Sequence, residues 1–127
     1  MSAVLTRVSL ISEKDPNQRL ADFFGEKFAA YRRAWAEAES GRAPLAPLHL
    51  DIDVTTACNL ACPMCPAGNS GHNFPGFKKG LRLSRTIYRK ALAEGAAFGL
   101  PSLRLGLTGE PLLEPDIHHW VREAREA

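Results

Sequence analysis

The sequence predicts an α/β domain behind a helical extension, and three observations carry that prediction. Apolar residues recur first at helical spacing; from about residue 48 the pattern runs strand, helix, strand, helix; and a Pro-rich connector separates the two regions. Alternating strands and helices imply right-handed crossovers and a parallel sheet covered by helices. The expected organisation is an N-terminal helical extension over 1–43 and a domain of two β/α units over 44–127. Two strands do not complete a sheet, and the last helix runs to Ala127 with no glycine or proline after it. The expectation is therefore the truncated start of a partial (β/α) TIM-like barrel.

Each element has its own signal. Residues 1–15 show no strong period and carry no chemistry. From Pro16 to about Ser40, Leu20, Phe24, Phe28, Tyr31 and Trp35 fall on one helical face, and Asp22, Glu26, Arg33 and Glu37 lie elsewhere around the wheel. Pro16 suits a first turn, and Ser40-Gly41 followed by Pro44 and Pro47 stops the helix. The aromatic stripe reads as core packing in preference to a partner-docking face. Leu48, Leu50, Ile52 and Val54 then alternate with His49, Asp51, Asp53 and Thr55, the period of a strand with one apolar face. His49, Asp51 and Asp53 either face a substrate lumen or pair with neighbouring basic residues, and pairing is the favoured reading. Residues 66–80, with four glycines and two prolines, read as an irregular loop. Ser84 is placed to cap a helix reaching Phe98, with Ile87, Ala91 and Leu92 inward and Gly99 and Pro101 ending it. Leu103, Leu105 and Leu107 mark a second strand. After a turn at Gly109–Pro111, Ile117, Trp120, Val121 and Ala124 share one face of a last helix.

Bulk properties narrow the function classes. A chain of 127 residues, 45% hydrophobic and 24% charged, is at most one ordinary globular domain. The net charge of +2, with the basic residues dispersed, gives no case for a nucleic-acid partner. No apolar run reaches the roughly 18 residues of a membrane span, and the first residues lack the order of a secretory signal, so no membrane is expected and the expected location is cytoplasmic. Lys78, Lys79 and Arg82 are read as a solvated loop in preference to a docking patch for an acidic electron donor, and the His118-His119 pair as surface.

The chemistry concentrates in Cys58-Asn59-Leu60-Ala61-Cys62-Pro63-Met64-Cys65. Three cysteines, an odd number, fall within eight residues just after a strand, which argues against a disulfide framework. Three thiolates so close can wrap one face of an iron-sulfur cubane and leave one iron open to a ligand, whereas clusters that only carry electrons usually have four. A Cys3His zinc site with His72 as fourth ligand, and three inert buried thiols, are the competing readings.

Cys58 to Cys65 resembles the CxxxCxxC signature of the radical S-adenosylmethionine (SAM) superfamily, placed as in that family after the first barrel strand. Leu107-Thr108-Gly109-Glu110-Pro111-Leu112-Leu113 is similar to the family's GGEP motif at the end of the second strand. The resemblance covers about residues 48–127. It implies that Cys58, Cys62 and Cys65 ligate three irons of a [4Fe-4S] cluster whose fourth iron binds SAM. It also implies that Thr108, Gly109, Glu110 and Pro111 orient the methionine end of SAM, and that Met64 supplies an apolar contact near adenine. The implied reaction is reductive cleavage of SAM to a 5'-deoxyadenosyl radical that takes hydrogen from a substrate, with flavodoxin or ferredoxin as reductant. No protein acid or base is assigned. Thr108 departs from the first glycine of GGEP and Met64 from a frequent aromatic. An ordinary turn acid is the competing reading of Glu110. The wording GEPLLEPDI is similar to the branch that often carries a cysteine-rich SPASM domain, which these residues do not include. Three functions remain open at this point: a radical SAM enzyme, a zinc-binding module, and a cluster-binding fragment. Taken alone, 127 residues are expected to lack SAM cleavage, because later strands supply much of the family's cofactor pocket.

Overall fold

A computed structural model describes residues 15–68 and 75–127, which fall into two units divided between Ala43 and Pro44. His72, the fourth zinc ligand of the competing reading, lies outside the described residues, as do residues 1–14.

The first unit holds α1 (Pro16–Phe24) and α2 (Glu26–Glu39) in place of the single expected helix. Pro16 occupies the first turn as expected, and Asp15, which the sequence reading passed over, caps the start by accepting from the Asn17 N–H through Oδ1. The break is at Gly25, whose φ of +77° is left-handed and ends one helix while opening the next. Rings continue across the break: Phe24–Phe28, Phe28–Tyr31 and Tyr31–Trp35 centroids are 6.0, 6.2 and 6.3 Å apart. No residue of α1 or α2 is buried, and Phe23 and Phe24 are exposed. Leu20 and Phe24 of the stripe are exposed while Phe28, Tyr31 and Trp35 are half-buried, so among the described residues the stripe is a ladder of ring contacts covered only in its second half.

The second unit is built on two short parallel strands, β1 (Leu50–Ile52) and β2 (Leu103–Leu105), in the register Leu50↔Leu103, Asp51↔Arg104, Ile52↔Leu105. Both are shorter than their alternating patterns. Beyond Ile52 the chain changes partner: Val54 O accepts from Leu83 N at 2.9 Å and Thr56 N donates to Leu81 O at 2.9 Å, with an antiparallel bridge between Thr55 and Arg82. Helix α3 (Arg85–Ala97) follows Ser84 and ends where Gly99 and Leu100 donate their N–H groups back to Ala96 and Gly95, a Schellman closure at the predicted glycine. A 3-10 turn (Pro111–Leu113) and α4 (Ile117–Glu126) complete the unit.

The core of this unit is Ile52, Val54, Tyr88, Leu92 and Trp120, with Leu50, Leu83, Ala91, Leu103, Leu105, Ile117 and Ala124 packed around it. Burying such side chains contributes about 1.5–3 kcal/mol each. Tyr88, not Ile87, is the residue α3 turns inward; Ile87 and Val121 are exposed. Tyr88 can be fully buried because its hydroxyl donates to Trp120 O at 2.6 Å while the two rings meet at 4.6 Å. Arg85 stands over the Trp120 ring and, with Arg89, pairs with Glu123, tying α3 to α4.

Candidate cofactor site

Because β1 and β2 are parallel, their carboxyl ends lie on the same side, and the segments leaving them are brought together. The cysteine loop leaves β1 and the Thr108–Pro111 turn leaves β2. Two residues 43 positions apart then meet: the Cys65 Sγ–H donates to Thr108 O at 3.6 Å.

Backbone contacts hold the turn against the start of the cysteine loop. Glu110 N donates to Ala57 O at 2.8 Å. Gly109 packs so tightly here that a Cβ would stand 1.9 Å from Thr55 O and 3.1 Å from Ala57 O. Only glycine allows that approach. Thr55 and Thr56 fix the opposite flank: Thr55 Oγ1 donates to Leu81 O and accepts from Ala57 N, and Thr56 Oγ1 donates to Lys78 O.

Within the loop, Cys65 N donates to Cys62 O and Gly68 N to Cys65 O, both at 3.1 Å, winding residues 62–68 into consecutive turns. Cys58 is half-buried and its sulfur accepts from Leu60 N at 3.4 Å; Cys62 is exposed; Cys65 is half-buried. All three thiols are free. Among the described residues no three His, Cys, Asp or Glu side chains converge as the shell of one metal ion. Three free thiols on one loop, with no fourth cysteine anywhere in the sequence, are nevertheless a donor set suited to a cluster that spreads its thiolates over several irons.

The other expected residues divide. Glu110 Oε1 accepts from Leu112 N at 3.0 Å, so the carboxylate caps the 3-10 turn that Pro111 opens. That is the turn-acid reading, and it leaves the residue at the mouth of the same site. Met64 is exposed. His49 and Asp51 follow the pairing expectation, with Asp51 Oδ1 3.0 Å from His49 Nε2 and 2.7 Å from Arg104 Nε. Arg82 is not a free loop cation: its Nε stands 3.0 Å from Glu114 Oε2, a carboxylate 4% exposed. Charge rather than an aligned hydrogen bond holds that pair, since Glu114 Oε2 has no aligned donor.

Asp53 is the residue that motif reading missed. Its Oδ1 accepts from Leu107 N at 2.6 Å and Thr108 N at 2.9 Å, and its Oδ2 accepts from Thr108 Oγ1 at 2.6 Å. Burial acts to raise its pKa, but the bonds from the Thr108 side chain and from the backbone of Thr108, Leu107 and Gly109 outweigh burial and hold it below the ordinary aspartate value. The signal available in the sequence was its place on the polar face of β1's extension, five residues before Cys58.

No protein-family model matches the chain, and no solved structure matches it. Over 82 residues, 65% of the chain, it is 34% identical to the PqqA peptide cyclase of Ruegeria pomeroyi. The matched stretch spans 20% of that relative's length, so the likeness is to one part of a longer enzyme.

Proposed function

We propose that residues 44–127 form the opening part of a radical SAM catalytic domain, in which Cys58, Cys62 and Cys65 hold a [4Fe-4S] cluster and the Thr108–Pro111 turn receives the methionine end of SAM. The observation that carries this reading is the meeting of the two motifs at the carboxyl ends of paired parallel strands, with Cys65 Sγ 3.6 Å from Thr108 O. The partial (β/α) barrel is part of the same proposal, as are a flavodoxin- or ferredoxin-type reductant and a cytoplasmic location. The likeness to a peptide cyclase supports a peptide as the substrate class.

The bound cluster would deliver one electron to SAM and so supply the radical chemistry. The protein's own residues bind and orient. The Cys65 thiol donates to the Thr108 carbonyl. With Cys65 holding iron as a thiolate, its sulfur would have no proton to donate, and the Thr108 carbonyl would be available as an acceptor for an ammonium group. Gly109 keeps the turn close to the cysteine loop, and Glu110, by capping the 3-10 turn, fixes the exit of the chain.

Anaerobic reconstitution with iron and sulfide, followed by iron counting and EPR of the reduced protein with and without SAM, tests the proposal. A cubane signal that shifts on adding SAM is expected. Colourless protein holding about one zinc per chain would replace this reading with a Cys3His module.

A further inference from the structure

The β1–β2 ladder ends at Gly106 N→Ile52 O, 2.7 Å, because beyond Ile52 the chain turns to pair with residues 81–83. The next N–H group on the β2 side that would face β1 is that of Thr108, and the carbonyl that would receive it, Val54 O, accepts from Leu83 N instead. Asp53 replaces it with a side chain: one carboxylate oxygen takes the N–H groups of Leu107 and Thr108 and the other takes the Thr108 hydroxyl. We propose that Asp53 is the positioning residue of the cofactor turn, an inference that rests on the function proposed above. With both amides drawn to one acceptor, the backbone at 107–108 is curled, and the Thr108 carbonyl stands on the cysteine side of the turn.

The third bond is specific to this chain. Thr108 stands where the resembled motif has glycine, and glycine has no side chain to donate to Asp53 Oδ2. A branched side chain at this turn is accommodated because Asp53 receives it, and in return the side chain locks the turn. The hydrogen bonds of Asp53 go to Leu107 and Thr108, so it acts by holding the turn.

The full chain is compared with its Asp53→Asn, Thr108→Val and Thr108→Ser variants. Three readouts are taken: iron per chain after reconstitution, the SAM concentration that half-shifts the EPR signal, and amide hydrogen exchange at Leu107 and Thr108 in the metal-free protein, with Leu50 as the ladder reference. Each of the first two variants loses charge-assisted hydrogen bonding to the carboxylate, so iron content is expected to hold while half-saturating SAM rises about 10-fold. Thr108→Ser, which keeps the hydroxyl, is expected to stay within about 2-fold of the parent. In Asp53→Asn the Leu107 and Thr108 amides exchange faster while Leu50 does not change. Loss of iron in parallel with the SAM response would make Asp53 a residue of the general fold and overturn the proposal. So would an unchanged SAM response with unchanged amides. A parent chain that takes up iron yet shows no SAM response refutes the proposed function and with it the cofactor half of this inference; the amides then judge whether Asp53 holds the turn.

Discussion

Gly109→Ala is the sharpest perturbation of the candidate site. Its Cβ would lie 1.9 Å from Thr55 O and 2.8 Å from Thr55 C, both backbone atoms that no rotamer change can move. To bring that contact out to the 3.0 Å that real Cβ atoms respect, the turn and the start of the cysteine loop must separate by about 1 Å. Such a separation breaks the 2.8 Å bond from Glu110 N to Ala57 O and lengthens the contact between Cys65 and Thr108. Overpacking against backbone together with one lost hydrogen bond comes to about 2–4 kcal/mol. In a domain of this size that lowers Tm by on the order of 10 °C or more. Gly80→Ala is the matched control: its φ of +82° imposes backbone strain, but nothing lies within 4 Å of the added carbon, so the cost is about 1–2 kcal/mol. Thermal unfolding by circular dichroism compares the two, and the reaction rate of Cys65 with a thiol reagent reports whether the turn has moved away. Equal destabilisation by the two substitutions, with Cys65 reactivity unchanged, would refute the close-approach argument.

Other perturbations read separate parts of the unit. Tyr88→Phe removes the hydroxyl donor to Trp120 O and should cost about 0.5–1.5 kcal/mol in urea unfolding, one ordinary hydrogen bond, because that carbonyl lies within α4 and keeps its place as a helical acceptor. Arg82→Ala leaves the Glu114 carboxylate buried and uncompensated; since Arg82 itself is 57% exposed and screened by water, about 1–3 kcal/mol is expected rather than the full cost of a buried pair. Asp53 has a folded pKa held below its unfolded value of about 3.9, so its contribution to stability is present above that value and is lost as pH falls through the lower folded one. Urea midpoints should therefore fall below about pH 4, and Asp53→Asn should flatten the decline; identical slopes for the two proteins would count against the Asp53 bonds.

The parts of the fold set by local chemistry were legible in the sequence. The stop of α3 at Gly99, the start of α1 at Pro16 and the parallel strand pair followed from helix start and stop residues and from a change of period. What escaped depended on segments far apart in the chain. Tyr88 looked less suited to a core than Ile87 until Trp120 offered its carbonyl. Arg82 looked solvated until the 3-10 turn carried Glu114 beneath it. Asp53 belonged to an alternating polar face with His49 and Asp51, and the alternation gave no means of telling the three apart. Two of them meet Arg104 and Ser102, while the third meets a turn that has run out of strand. The helix break at Gly25 was a missed local signal, because the ladder from Phe24 to Trp35 keeps its spacing across the glycine and hides it.

The order in which the site is assembled follows from which bonds involve the cysteines. The ladder, the Glu110–Ala57 bond, the Gly109 approach and the three bonds to Asp53 are all made without a sulfur atom. Among the described residues the Cys65–Thr108 and Leu60–Cys58 contacts use one, and both are weak bonds involving sulfur. The two motifs should therefore be juxtaposed before any metal arrives, with metal closing the cysteine loop rather than building the sheet. Zinc fingers behave in the opposite way, since without metal they are unfolded. The metal-free chain is accordingly expected to keep its far-UV circular dichroism and a cooperative thermal transition, and reconstitution to change the environment of residues 58–68 while leaving that spectrum nearly the same. A metal-free chain with the spectrum of an unfolded polypeptide, gaining helix in proportion to the iron it binds, would show that the cysteines and not the strand ends assemble the site.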